Sequence, residues 1–182
     1  MFEVAWKRRK QEETMELSVG DKIVYPRHGV GRIVGIEDLN LVEGFERYYV
    51  IEIPNQHLTV RVPIRKMEEL GVRRVMSHEK LLSVLETLGS EPHLLSDDYR
   101  ERQEWVRERL ETGGPLRVAE IVRDLTWHER HGRLTKVDTA LLARGRDFLS
   151  AEIAFMTDTE IVDAKQTIDD ALASAVANVP VQ

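Results

Sequence analysis

Apolar residues keep one rhythm as far as about Ser77 and another after it. In the first stretch they form short runs rich in β-branched and aromatic side chains. These are Lys22-Ile23-Val24-Tyr25, Arg32-Ile33-Val34-Gly35-Ile36-Glu37, Tyr48-Tyr49-Val50-Ile51-Glu52-Ile53 and Leu58-Thr59-Val60-Arg61-Val62. Turn-forming residues separate them at Pro26 to Gly29, Glu43-Gly44, Pro54-Asn55 and Pro63. Branched and aromatic side chains pack well on a pleated surface, so runs of this kind between breakers predict strands. Val72 to Met76 supplies a candidate fifth strand. Strands this short, in about 60 residues, predict a small antiparallel β-barrel or curled sheet with meander connections.

Beyond Ser77 the apolar positions recur every three or four residues, the spacing of a helix face. Ser77 is placed to cap a helix through Leu88 whose apolar side is Leu81, Leu82, Val84, Leu85 and Leu88. A linker with Pro92 follows, and Ser96 is expected to cap a helix over residues 97–112. Gly113-Gly114-Pro115 closes that helix and opens the next, since proline suits a first helical turn. Leu116, Val118, Ala119, Ile121, Val122 and Leu125 form its buried side, and Gly132 ends it. Thr135 to Asp138 matches a capping box and opens a helix to about Phe155. Thr157 to Glu160 repeats that signature before a last helix to about Ala177. The expected fold class is therefore α+β. It divides into an N-terminal extension (1–14), a small antiparallel barrel domain (15–76), a compact all-helical domain (77–177) and a tail (178–182).

Composition narrows the chemistry. The 182 residues contain no cysteine, which excludes a disulfide framework, thiolate metal sites and cysteine nucleophiles. No apolar run approaches the ~20 residues of a membrane span. The N-terminal apolar stretch Met1 to Trp6 precedes its charges, Lys7 to Lys10, the reverse of a secretory signal, so the cytoplasm is the expected compartment. A net charge of −6 argues against bulk binding to nucleic acid. Within residues 100–146, however, eleven basic side chains face eight acidic ones, so a basic face has somewhere to form.

Few constellations suggest catalysis. His128-Glu129-Arg130-His131 spaces its histidines by three, whereas a zinc-binding pair on a helix needs four, and a polar helix end explains it better. His28-Gly29-Val30-Gly31 precedes a strand rather than a helix and reads as a tight reversal, not a phosphate loop. Neither a catalytic site, a metal site nor a cofactor is expected. The Tyr99 to Leu110 stretch alternates arginine with glutamate. Such a helix is either a solvated, pair-laced surface or a row of arginines for phosphates with an aromatic at its start.

The stretch Val19-Gly20-Asp21-Lys22-Ile23-Val24-Tyr25-Pro26-Arg27-His28-Gly29-Val30-Gly31 closely resembles the opening of the CarD/CdnL family of bacterial transcription regulators. Leu58 to Pro63, Gly71-Val72-Arg73, Arg117 to Leu125 and Leu141 to Leu149 continue the resemblance over roughly residues 17–172. It implies a Tudor-like or SH3-like barrel that docks on the RNA polymerase β subunit. It also implies a helical domain that meets promoter DNA at the upstream edge of the bubble, without base-specific readout, and stabilises the open complex. Arg61 matches a family polymerase contact. Asp38-Leu39-Asn40-Leu41 stands where a second basic contact is common, so Leu39 and Leu41 are the expected supplements. Counting back from Val118-Ala119-Glu120, Tyr99 stands where many members carry a tryptophan wedge. Its expected support comes from Arg100, Arg102, Arg130, Arg133, Lys136, Arg144 and Arg146. Glu101, two residues past the wedge, would repel phosphate. The resemblance implies no enzyme, and a monomer is the expected state. The alternative is a polymerase-docking adaptor whose helical domain binds a protein partner with little DNA engagement.

Overall fold

The computed structural model describes residues 17–26, 28–112 and 114–177. The sequence-based extension (1–14) and tail (178–182) lie outside these residues. The chain divides between Val75 and Met76 into two compact units.

The first unit is an antiparallel sheet of β1 (Lys22–Tyr25), β2 (Gly29–Val42), β3 (Phe45–Ile53), β4 (Leu58–Pro63) and β5 (Arg73–Arg74). Its spatial order is β4-β3-β2-β1-β5: four strands form a meander and β5 returns to the free side of β1. Ile23, Ile33, Tyr49, Ile51, Ile53 and Val62 build one core with Leu17, Met67 and Val72. The Tyr49 hydroxyl donates to the Leu17 carbonyl (2.6 Å), so the buried phenol is satisfied. The reversal at His28-Gly29 forms as read, with Gly29 at φ +89° opposite Tyr25. Gly31 is required for a different reason: a Cβ there would stand 2.8 Å from the Glu52 carbonyl oxygen of β3.

The β2–β3 hairpin is longer than the apolar runs indicate, because its outer part is held by polar partners. Asp38 lies opposite Arg47 and pairs with it at 3.2 Å. Within the hairpin, Ile33 opposes Ile51 but Gly35 opposes Val50, so Val34 is an extra residue, a β-bulge. Successive strand residues face opposite sides, so a bulge that absorbs one residue shifts the alternation of everything after it relative to a regular strand. In a regular register Glu37 would lie opposite Arg47, on the face of Tyr49; with the bulge at Val34 it lies opposite Tyr48, on the face of Val50.

The second unit packs α1 (His78–Leu88), α2 (Tyr99–Thr112), α3 (Pro115–His131), α4 (Lys136–Thr157) and α5 (Ile161–Ala177). Leu81, Val84, Leu88, Val106, Ile121, Val122, Leu125, Leu149, Ile153 and Ile168 are among its core residues, and Leu82 turns to solvent. Ser77 caps α1 by accepting from the Lys80 N–H (3.2 Å). Thr135 and Asp138 form the reciprocal capping box of α4. A Cβ at Gly145 would sit 3.0 Å from Val122, so this glycine lets α4 approach α3 closely. The Met76 N–H donates to the buried Glu152 carboxylate (2.8 Å), fixing the start of the unit.

Two predicted caps move. The first turn of α2 is closed by Asp98, whose carboxylate accepts the Arg100 N–H (2.7 Å). Ser96 instead accepts the Asp98 N–H (3.2 Å) and donates to Glu101 (2.9 Å), so the helix starts two residues later than expected. At the other junction Asp158 takes a left-handed conformation (φ +54°) and ends α4. Thr157 then belongs to the last turn of α4 and donates to the Ile153 carbonyl (2.8 Å) rather than capping α5.

Candidate protein and nucleic-acid interfaces

In the sheet unit the geometry centres on Arg61. It lies on edge strand β4, opposite Val50 of β3, which in turn lies opposite Gly35 of β2. Glu37 is two residues beyond Gly35, so the bulge at Val34 brings it to the face of Arg61. The guanidinium spans β3 and meets both carboxylate oxygens, with Nε donating at 2.7 Å and Nη2 at 3.3 Å. The Glu37 hydrogen bond and charge hold the Arg61 proton still more tightly than usual. The pair is exposed, so it fixes direction more than it adds stability. Leu39 and Leu41 follow on the same strand, half-buried and exposed respectively. Glu37 was missed by sequence reasoning because only the bulge gives it this facing.

In the helical unit Tyr99 is the first residue of α2 and 47% exposed. Arg100 folds over its ring, 5.5 Å from the centroid, and its Nε donates to the phenol oxygen (3.1 Å). Exposed acids flank Tyr99 in sequence: Asp97, Asp98 and Glu101. Arg130, Arg133, Lys136 and Arg144 are exposed, the first three around the turn from α3 into α4. Arg146 is half-buried and committed to Asp169 of α5.

Arg102 departs from its predicted role. It is 3% exposed, its Nη1 donates to the Ser96 carbonyl (2.6 Å) and its Nη2 to Asp138 (2.8 Å). A guanidinium enclosed and occupied in this way is not presented to phosphate. Arg102 is therefore a structural tie between α2 and the start of α4. One sequence signal was available: Arg102 precedes Val106 and Leu110 by one and two turns, on the stripe that α2 buries. Burial pushes the Asp138 carboxyl up, but hydrogen bonds from Arg102 and Thr135, with the Arg102 charge, outweigh it and hold the group below its ordinary value.

The segment between α1 and α2 is pinned from within. Arg123 donates to Asp124 (2.7 Å) and Ser90 (2.6 Å) and meets His93 Nδ1 (2.8 Å), while the His93 N–H donates to Asp124 (3.0 Å). His131 Nδ1 lies on the Trp127 carbonyl (2.9 Å), the helix-end placement read from the sequence. Among the described residues no cluster of three or more His, Asp or Glu could hold a metal, and no helix is long and apolar enough to cross a membrane.

Comparison with known proteins divides the chain in the same way. Residues 17–76 match the family described as CarD-like/TRCF RID domain, and residues 83–169 match the CarD C-terminal domain. The chain is also 30% identical over 137 residues to the Bacillus subtilis (strain 168) protein named "Putative transcription factor YdeB", covering 74% of this chain and 88% of that protein.

Proposed function

Because the chain belongs to the CarD family, an RNA polymerase-interacting family of non-enzymatic transcription regulators, we propose that it docks on the polymerase β subunit through its sheet unit and stabilises the open promoter complex through its helical unit. Docking is directed by Arg61, whose fork is held out by Glu37 on an edge strand, with Leu39 and Leu41 adding apolar contact. The DNA contact lies at the upstream edge of the bubble and reads no particular sequence.

The observation that carries the DNA half is the Tyr99 ring, exposed at a helix start with a guanidinium over its face. A flat apolar group beside a cation suits a minor groove being unstacked. Unstacking a base step costs a few kcal/mol, and an inserted ring offsets part of that only in the opened state. Arg100, Arg130, Arg133, Lys136 and Arg144 are the exposed partners for phosphates. Arg146 joins them only by leaving Asp169.

The acids around Tyr99 favour a second reading, an adaptor whose helical unit engages a protein partner. Binding of the full-length protein to a forked promoter fragment across a salt series separates the two. Phosphate contacts give a logarithmic slope of about −0.9 per contact, whereas an adaptor gives no such binding. Open-complex lifetime with and without the protein then tests the regulatory step: lengthening is expected, and an unchanged lifetime removes the proposed mechanism.

A further inference from the structure

Resting on the nucleic-acid reading above, we infer that Arg102 and Asp138 are positioning residues for promoter contact: their buried pair holds the Tyr99 wedge in a fixed place relative to the cations around the turn from α3 into α4. Helices α2 and α4 run side by side in the same direction. Arg102 meets Asp138 near the two starts (2.8 Å), and further along α2 the Leu110 side chain stands 3.6 Å from where a Cβ on Gly145 of α4 would be. The start of α2 and the start of α4 therefore lie at one end of the helical unit. Tyr99 shares that end with Arg130, Arg133 and Lys136, all of them exposed.

The ties at this end converge on the turn that carries Tyr99. Before it in the chain, the Ser96 carbonyl accepts from Arg102 Nη1 (2.6 Å). After it, Arg102 Nη2 donates to Asp138 (2.8 Å), and the buried Gln103 amide donates to the Thr135 hydroxyl (2.9 Å). Thr135 itself donates to Asp138 through its N–H and its hydroxyl, both at 2.9 Å. One guanidinium fork thereby joins the segment before α2, α2 itself and the start of α4. A buried pair of this kind adds little net stability over an apolar pair of similar volume, and here Arg102 Nε and Asp138 Oδ1 have no hydrogen-bond partner among the described residues. What the fork adds over an apolar contact is direction, because its bonds are satisfied at one distance and one angle. A wedge gains from direction. Its ring offsets unstacking only where it meets the opened step, and a ring already fixed relative to the backbone-binding cations loses less freedom on binding.

The test uses the full-length protein with RNA polymerase and promoter DNA. Arg102→Lys keeps a charge opposite Asp138 but replaces the planar fork by a single ammonium. This variant should still unfold cooperatively and should shorten the open-complex lifetime by roughly threefold. The salt slope of binding to a forked promoter fragment should stay the same, because no phosphate contact is removed. Added to Tyr99→Ala, Arg102→Lys should shorten the lifetime no further, since the ring it positions is gone. A purely structural role would shorten the lifetime by the same factor in both backgrounds or lower the salt slope as well, and either result overturns the proposal. So does an unchanged lifetime in Arg102→Lys. If that variant loses cooperative unfolding, the double substitution Arg102→Met with Asp138→Asn, which strands no charge, takes its place with the same expectations. A shortening by Tyr99→Ala without one by Arg102→Lys removes the positioning role and leaves the wedge standing. An unaltered lifetime in Tyr99→Ala alone defeats the wedge and the positioning role together.

Discussion

In the sheet unit Arg61 reaches across β3 to Glu37 and keeps nearly half of its side chain in water (45%). In the helical unit Arg102 reaches Asp138 with 3% of its side chain in water. The chemistry is the same and the consequence is opposite. A carboxylate beside an exposed guanidinium aims it and leaves it available for exchange with a partner. A carboxylate beside a buried one compensates a charge that would otherwise be stranded, and the pair becomes part of the fold. An arginine's presence in a basic stretch therefore says little about its task until its burial is known.

Breaking the buried pair should have the largest effect. Arg102→Met leaves Asp138 enclosed without its cation and should cost about 3–5 kcal/mol, read in denaturant unfolding of the helical signal. A midpoint equal to the unsubstituted protein would show that the tie between α2 and α4 is dispensable. Next comes the exposed pair, where stability should not move. Arg61→Glu places like charges together at the docking edge and should reduce retention of the β subunit by tenfold or more, with the melting temperature unchanged. Glu37→Gln should weaken retention less, since the amide still accepts a hydrogen bond but holds the fork without charge.

Acid separates the two regions more finely. The Asp138 carboxyl titrates below its ordinary 3.8 in the folded protein, so the unfolded chain binds this proton first as pH falls. Its stabilising contribution is complete above about pH 5 and drains away as pH drops through 3.8 toward the depressed folded value. Asp138→Asn should flatten the acid limb of helical-unit stability over that window; an unaltered limb would assign acid sensitivity to other carboxylates. The smallest expected effect belongs to Tyr99, whose ring is not part of the core. Tyr99→Ala should leave the melting temperature within about 1 °C, as surface substitutions usually do. It should still shorten the open-complex lifetime by a few-fold. A drop in melting temperature with no change in lifetime would mean that the ring packs rather than wedges.

Much of the architecture was legible because it is set by neighbours in sequence. The strand runs, the Ser77 cap, the Pro115 start and the Thr135–Asp138 box all depend on residues within one turn of each other, and all formed. The caps that shifted, at Ser96 and Thr157, had rivals one or two residues away. Asp98 and Asp158 present equally suitable local chemistry, and only the packed path of the chain chose between them.

The candidate site was legible as a set of residue types but not as a surface. Arg61 and Glu37 are 24 residues apart, Arg102 and Asp138 36, and His93 and Asp124 31. No local rule pairs residues at those separations. By itself the sequence determined the two kinds of secondary structure, the order of the elements, the family and the absence of cysteine chemistry. Tertiary structure decided which arginine is displayed and which is enclosed. It did so through a bulge at Val34 that leaves Glu37 on the face of Arg61, and through a helix stripe that carries Arg102 inward with Val106. Side-chain charge is written in the sequence, but whether that charge meets water or a buried partner depends on facing and depth, which exist only once distant segments have packed.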